Sequence, residues 1–208
     1  IGNEFLDALP IRQLVNTPQG WRERMVALDG DTFVFAAGPN PMDEALPESR
    51  RGQPSGTIVE TCPAAAALVD DLSLRLAEQG GAALLIDYGY LKPRGGETLQ
   101  AIHRHRKAGV FDAPGEMDLT AHVDFAAIAQ AAQPALATEM IPQGVWLERL
   151  GITARAQALA RNLKGDALDQ HIAAHRRLTH GDEMGTLFKA MALHAPDQIA
   201  PPGFAHDD

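Results

Sequence analysis

Three polar side chains near the start of the chain, Asn3, Glu4 and Asp7, are the first whose types and spacing could do chemistry. A Glu and an Asp three positions apart can clamp a guanidinium by bidentate hydrogen bonds. Asn3 can accept from an N–H of such a ligand or orient Glu4. The plainer alternative has Asn3 or Asp7 capping a turn while Glu4 stays in water. A second group, Asp87-Tyr88-Gly89, closes the apolar run from Ala82 to Ile86. Polar residues at the mouth of such a strand sit where open α/β sheets bind ligands. Alternatively, Asp87 caps a loop and Gly89 supplies a positive φ. His122, with Asp118, Thr120 and Asp124, has the residue types of a base or a metal cluster. Its spacing matches no metal signature, so no metal site is expected. Asp118 or Thr120 as the cap of a following helix explains most of that cluster.

Other conspicuous residues have structural explanations. Arg94, Arg104, Arg106 and Lys107, with His103 and His105, make one segment locally positive, which fits a solvated loop or a contact for an acidic partner surface. Cys62 reads as a small buried apolar group, since no base is identifiable beside it. Met184 and Phe188, spaced i, i+4, read as core, and Trp21 and Trp146 as packing residues.

The elements that must position these groups read as follows. The block from Asn3 to Pro10 looks like the exit from a strand whose body lies upstream of Ile1. Arg22–Leu28 and Thr32–Phe35 flank Asp29-Gly30-Asp31, a hairpin signal. Residues 38–57 read as an irregular loop and Thr57–Glu60 as a short extended piece. Pro63 opens a helix to about Gln79, with Leu68, Leu72 and Leu76 on one face, and Gly80-Gly81 stops it. The run Ala82–Ile86 is continuous rather than alternating, as in a strand buried on both faces of a parallel sheet. Thr120 can cap a helix to about Gln133. Leu136–Ile141 is strand-like, and helices follow near Thr153–Leu163 and Ala167–Leu178. Thr186–Leu193 suits either a helix or an edge strand, and the tail from His194 onward reads as partly disordered. Helix, Gly-Gly, then a buried strand ending in Asp is the rhythm of a doubly wound, mostly parallel α/β fold.

Composition bounds the rest. No stretch approaches the run of about 18 apolar residues that a membrane span requires, and the first residues lack a signal-peptide pattern. A single cysteine excludes an internal disulfide and fits a reducing compartment. A net charge of −9 argues against nucleic acid as the main partner.

Four blocks in order carry a resemblance: Asn3-Glu4-Phe5-Leu6-Asp7-Ala8-Leu9-Pro10, Ile86-Asp87-Tyr88-Gly89-Tyr90, the stretch from Pro114 to Phe125, and Glu183-Met184-Gly185-Thr186-Leu187-Phe188-Lys189. Gly96-Glu97-Thr98-Leu99, His103-Arg104-His105-Arg106 and the stretch from Gln143 to Gly151 extend it over nearly the whole chain. Together they resemble the MidA family, S-adenosylmethionine-dependent methyltransferases that act as assembly factors for respiratory complex I. The resemblance implies a Rossmann-like class I methyltransferase fold, with residues 1–208 as its C-terminal part. A hairpin region at about 20–57 and helices at about 143–180 are inserted in it. It implies S-adenosylmethionine as cofactor. The family's glycine-rich cofactor loop and ribose-binding acid precede the Asn-Glu block. The main cofactor fingerprint is therefore expected upstream of Ile1, the N-terminal half is expected to be absent here, and no cofactor-binding residue is assigned. Residues 1–208 alone would then form one wall of the cofactor pocket, fold poorly and be inactive.

Methyl transfer is an in-line displacement in which the acceptor lone pair faces the sulfonium methyl and the acceptor sheds a proton. The resemblance makes Asn3, Glu4 and Asp7 catalytic, and places Asp87, Tyr88, Gly89 and His122 in the substrate cleft. It implies a protein arginine on a respiratory-chain subunit as acceptor, in the bacterial cytoplasm or the mitochondrial matrix. Neither nucleic-acid binding nor membrane insertion is expected, and an edge strand near the C-terminus is compatible with a homodimer. Two other classes remain open. One is a non-catalytic assembly scaffold with a methyltransferase fold, which should tolerate Glu4→Gln. The other is a small-molecule or nucleic-acid methyltransferase, ranked last because the loop reads Asn3-Glu4-Phe5-Leu6 and the chain is acidic.

Overall fold

The computed structural model describes residues 1–46, 48–90, 96–104 and 106–204; Arg94 and His105 of the basic segment lie outside them. The elements in chain order begin with strands β1 (Gly2–Asn3), β2 (Arg12–Thr17), β3 (Gly20–Asp29) and β4 (Thr32–Pro41). Helix α1 (Glu48–Arg51), strand β5 (Ile58–Thr61), helix α2 (Pro63–Gln79) and strand β6 (Ala82–Tyr90) follow. Then come β7 (Gln100–His103), β8 (Arg106–Ala108), β9 (Asp118–Thr120), β10 (Val123–Asp124) and α3 (Phe125–Ala131). The last third holds β11 (Leu136–Ala137), β12 (Ile141–Pro142), α4 (Gln143–Arg149), α5 (Ile152–Ala160), α6 (Asp166–Thr179), α7 (Met184–Leu187) and β13 (Phe188–His194). Among the described residues, no helix is long and apolar enough to cross a membrane.

The chain divides into two units. The first comprises Ile1–Asp7, Ala66–Lys92 and Val123–Asp208. Its sheet is centred on β6, whose apolar run is buried at Leu85 and Ile86 but half-buried at Ala83 and Leu84 and exposed at Ala82, so burial on both faces holds only at the end of the run. β6 pairs in parallel with β1 at Leu85 and Ile86, and with β10 at Gly89 and Tyr90. It pairs antiparallel with β13 from Tyr88↔Phe188 to Ala82↔His194. β11 and β12 both join β13 antiparallel. The described sheet is therefore α/β and mixed, not mostly parallel, because β13 runs against every strand that it touches.

β13 also overturns the expectation of an edge strand. It is internal, with β6 along one side and β11 and β12 along the other, and residues 190–194 are all buried. No free edge of β13 is left for a second copy. Met184–Leu187 forms a short helix just before it, so the Thr186–Leu193 run is helical at its start and strand in its body. The core gathers Ile86, Ile141, Phe188, Ala190 and Ala192, with Trp146 and Met184 packed against it.

The second unit comprises Ala8–Ala65 and Pro93–His122. It holds an antiparallel sheet in the order β4-β3-β2-β5 and a three-stranded sheet in the order β8-β7-β9. The hairpin is present, but its turn is displaced by one residue from the Asp-Gly pair. Asp29 pairs with Thr32, leaving Gly30-Asp31 as the loop, with φ +60° at Gly30. Positive φ at the first loop position alone is the type II′ pattern, whose twist matches the strands. Leu14, Trp21, Leu46 and Val59 form the core. Within 38–57 the structure is more regular than a loop, since β4 runs to Pro41 and a 3-10 turn and α1 follow.

Other corrections are local. α2 buries Ala65, Val69, Ser73 and Leu76, whereas Leu68 is 40% exposed; the buried stripe is rotated by one residue from the leucine row. Asp118 and Thr120 belong to β9, drawn into pairing with β7, so neither caps the next helix. That cap is Asp124, whose carboxylate accepts from the Ala127 N–H at 3.1 Å. Cys62 is only partly buried, its thiol 3.5 Å from the Pro10 carbonyl.

Candidate active site

The first unit brings the Asn3–Asp7 block and Asp87 together. β1 and β6 lie side by side in parallel, so the loop leaving β1 passes Asp87 in the carboxyl-terminal half of β6. The Glu4 N–H donates to the Ile86 carbonyl at 3.0 Å, which continues the ladder by one residue. Glu4 then turns the chain with φ +48°, the left-handed region that a glutamate rarely enters. A non-glycine residue held there is strained, and such strain gathers at functional sites.

After this turn, three successive backbone N–H groups converge on one oxygen. Those of Phe5, Leu6 and Asp7 donate to Asp87 Oδ2 at 3.1, 3.0 and 3.3 Å. The N–H of Tyr88 donates to Oδ1 at 3.1 Å. Consecutive N–H groups around a left-handed residue form an anion-binding concavity, here filled by a carboxylate of the same unit. Asp87 is 1% exposed. Burial and the nearby Asp7 charge push its carboxyl up from 3.8 to about 6, against the pull of the three N–H groups.

Asp7 is itself buried, and its Oδ1 has no hydrogen-bond partner among the described residues. A buried carboxylate oxygen without a donor marks a place where a donor is missing. Asn3 and Glu4 are exposed at the strand end. The donor set is thus anionic and amide, suited to a cation. That charge suits one side of a site for a sulfonium cofactor.

Tyr88 and Gly89 follow Asp87 but face other tasks. Successive strand side chains point to opposite faces, so Asp87 and Tyr88 do not line one wall. The Tyr88 ring meets Phe188 edge-on, with centroids 5.3 Å apart, and packs on the core. Gly89 has no positive φ. A Cβ there would stand 2.2 Å from the Val123 carbonyl oxygen, so the glycine permits β10 to approach β6. His122 lies in the second unit, where its N–H donates to Thr98 Oγ1 at 2.9 Å. Among the described residues, no three His, Cys, Asp or Glu side chains gather as a metal-holding group.

Two groups went unmarked in the sequence. Lys189 stands directly opposite Asp87 across β6 and β13. Its Nζ donates to the Thr186 carbonyl and, at 3.1 Å, to that of Leu187. Burial lowers its pKa from 10.5. A lone lysine in the apolar run Phe188–Leu193 was the available signal. In the second unit, buried Glu60 accepts from Gln13 Nε2 at 2.8 Å, Thr98 N at 3.0 Å, Thr98 Oγ1 at 2.5 Å and Leu99 N at 3.1 Å. Gly96-Glu97-Thr98-Leu99 is thereby tied to β5, and Glu97 pairs with Arg24 at 2.5 Å.

The chain is similar to known proteins along most of its length. A family model described as putative S-adenosyl-L-methionine-dependent methyltransferase matches residues 1–141. The rat protein named protein arginine methyltransferase NDUFAF7, mitochondrial, is 33% identical over 93% of this chain and 45% of its own length. Its human counterpart is 32% identical, over 93% of this chain and 44% of its own. A crystal structure from Burkholderia thailandensis, solved bound to S-adenosyl-homocysteine, superposes with a TM-score of 0.83 at 33% identity. That match covers 98% of this chain and 55% of the other. The chain thus spans about half the length of the relatives it matches. The family match over residues 1–141 takes in β1, β6 and the Asn3–Asp7 loop, and the chain belongs to this S-adenosyl-L-methionine-dependent methyltransferase family.

Proposed function

We propose that this chain forms the acceptor side of a Rossmann-like class I methyltransferase acting on an arginine side chain of a protein. The observation that carries this reading is the anionic loop after β1: exposed Glu4 in a left-handed turn, beside buried Asp7 with an oxygen that no described residue supplies with a donor. The relatives named as protein arginine methyltransferases support the choice of acceptor. S-adenosylmethionine, when bound, supplies the electrophilic methyl group.

The chain's own residues then hold and deprotonate the acceptor. The Glu4 carboxylate accepts two N–H bonds from the guanidinium and keeps its positive charge off the attacking nitrogen. Asn3 accepts from a third N–H and limits rotation about the guanidinium plane. Asp7 Oδ1 takes a further donor that no described residue of the chain provides. The proton shed on transfer passes to Glu4, whose exposure lets it leave to solvent. The acceptor protein we propose is a respiratory-chain subunit. The relatives are named as mitochondrial, so the matrix, or the cytoplasm of a bacterium, is the matching compartment.

The test is transfer of labelled methyl from S-adenosylmethionine by the full-length protein into a lysate from cells lacking it. Wild type should label one protein band, with the label on arginine by mass spectrometry. Glu4→Gln should lower kcat by about 100-fold or more, as for loss of one charged transition-state contact. Cofactor binding without labelling of any band would instead favour a non-catalytic assembly scaffold.

A further inference from the structure

Asp87 lies within β6, three residues before its end, and turns its carboxylate away from solvent, toward backbone N–H groups. It accepts from three consecutive N–H groups of the loop after β1 and from that of Tyr88. Its reach across the chain is long, 80 to 82 residues for the three loop contacts. The loop that it grips starts at Glu4, the residue with φ +48°. A left-handed glutamate is strained and persists only where its surroundings over-determine it. The Glu4 N–H is fixed to Ile86 on one side of the turn, and the next three N–H groups are fixed to Asp87 on the other. The two anchors bracket Glu4 and leave its side chain in water.

We infer that Asp87 is a positioning residue: it does not touch substrate but holds the Phe5–Asp7 backbone, and so sets the direction in which Glu4 presents its carboxylate. The inference rests on the functional reading above for what Glu4 does, but not for what holds Glu4. It also gives Asp87 a different task from the substrate contact that the family resemblance implies for it. Glu4 meets the acceptor, and Asp87 meets only the loop. Charge-assisted N–H contacts are about twice as strong as neutral ones, so a carboxylate holds this turn more firmly than an amide could.

The experiment uses the full-length protein with Asp87→Ala, Asp87→Asn and Glu4→Gln, measuring amide hydrogen exchange and methyl transfer on the same samples. Asp87→Ala removes all the acceptors, and Asp87→Asn keeps one carbonyl oxygen. Exchange in a peptide spanning residues 3–9 should speed up by tenfold or more in Asp87→Ala and about threefold in Asp87→Asn. A peptide spanning residues 188–194 should not change. kcat should fall in the same order, with KM for the cofactor within threefold of wild type. Glu4→Gln should lose activity with loop exchange unaltered. If Asp87→Ala does not fold, Asp87→Asn decides alone. The inference is overturned if loop exchange is unmoved by the Asp87 variants. It is equally overturned if Asp87→Asn loses activity while its loop stays protected, which would make Asp87 a substrate contact. Failure of the functional reading looks different: wild type would transfer no methyl group, and the exchange comparison would still show whether Asp87 holds the loop.

Discussion

A carboxylate held almost wholly out of water, as Asp87 is, makes stability depend on pH with a definite sign. In the folded chain its carboxyl is raised from 3.8 to about 6, so between those values the fold holds a proton that the unfolded chain has released. Its contribution therefore grows more favourable as pH falls through 6, and above pH 6 the buried charge costs on the order of 3 kcal/mol. Wild type compared with Asp87→Asn in urea should show this. The difference in unfolding free energy should shift in favour of wild type by about that amount between pH 7 and pH 4. A difference independent of pH would show that Asp87 keeps its ordinary titration. At this scale the sequence was legible in residue type but not in partner. Asn3, Glu4, Asp7 and Asp87 stand out as polar groups beside apolar runs, and the first unit brings them together. The left-handed turn could not be foreseen, because glutamate carries no local preference for it. Nor could the N–H grip, whose two halves lie some 80 residues apart.

Elements were read best where one local signal dominated. Pro63 and Gly80 bracket α2 as expected, since the first lacks an N–H and the second takes φ +75°. Elements shaped by distant pairing were read less well. Thr120 has the chemistry of a cap, but β9 pairs with β7, and Asp124 takes the capping role. The Gln13–Glu60–Thr98 network was invisible for the same reason: its members come from three separate stretches of chain. Glu60 has a clear task at this scale, joining β2, β5 and the segment before β7. Glu60→Ala would strand four donors in a dry site, each worth roughly 1–3 kcal/mol if left unsatisfied and partly relieved by water. A net loss of about 3 kcal/mol is expected in denaturant unfolding, with exchange rising in residues 12–17 and 98–103. A loss below about 1 kcal/mol would mean that water replaces the carboxylate there.

At the scale of the whole chain, the net charge of −9 on these 208 residues contributes a long-range field that draws cations. An arginine-bearing acceptor should therefore associate less readily as salt screens that field. KM for an acceptor peptide should rise about three- to tenfold between 50 and 300 mM salt, since the Debye length shortens to a few ångström. An unchanged KM would place recognition in short-range contacts alone. Charge and the order of motifs were readable at this scale, and the family match agrees with them. Strand order was not, because an apolar stretch such as Phe188–Leu193 says nothing about which neighbours it will find. β13 finds β6, with Tyr88 opposite Phe188, and that pairing bears on how the protein is made. Roughly 100 residues separate the two strands, so at synthesis rates of about 5–20 residues per second β6 leaves the ribosome some 5–20 seconds before its antiparallel partner. Through that interval the side of β6 that will meet β13 has no mate, an unpaired strand edge of the kind that pairs with other chains.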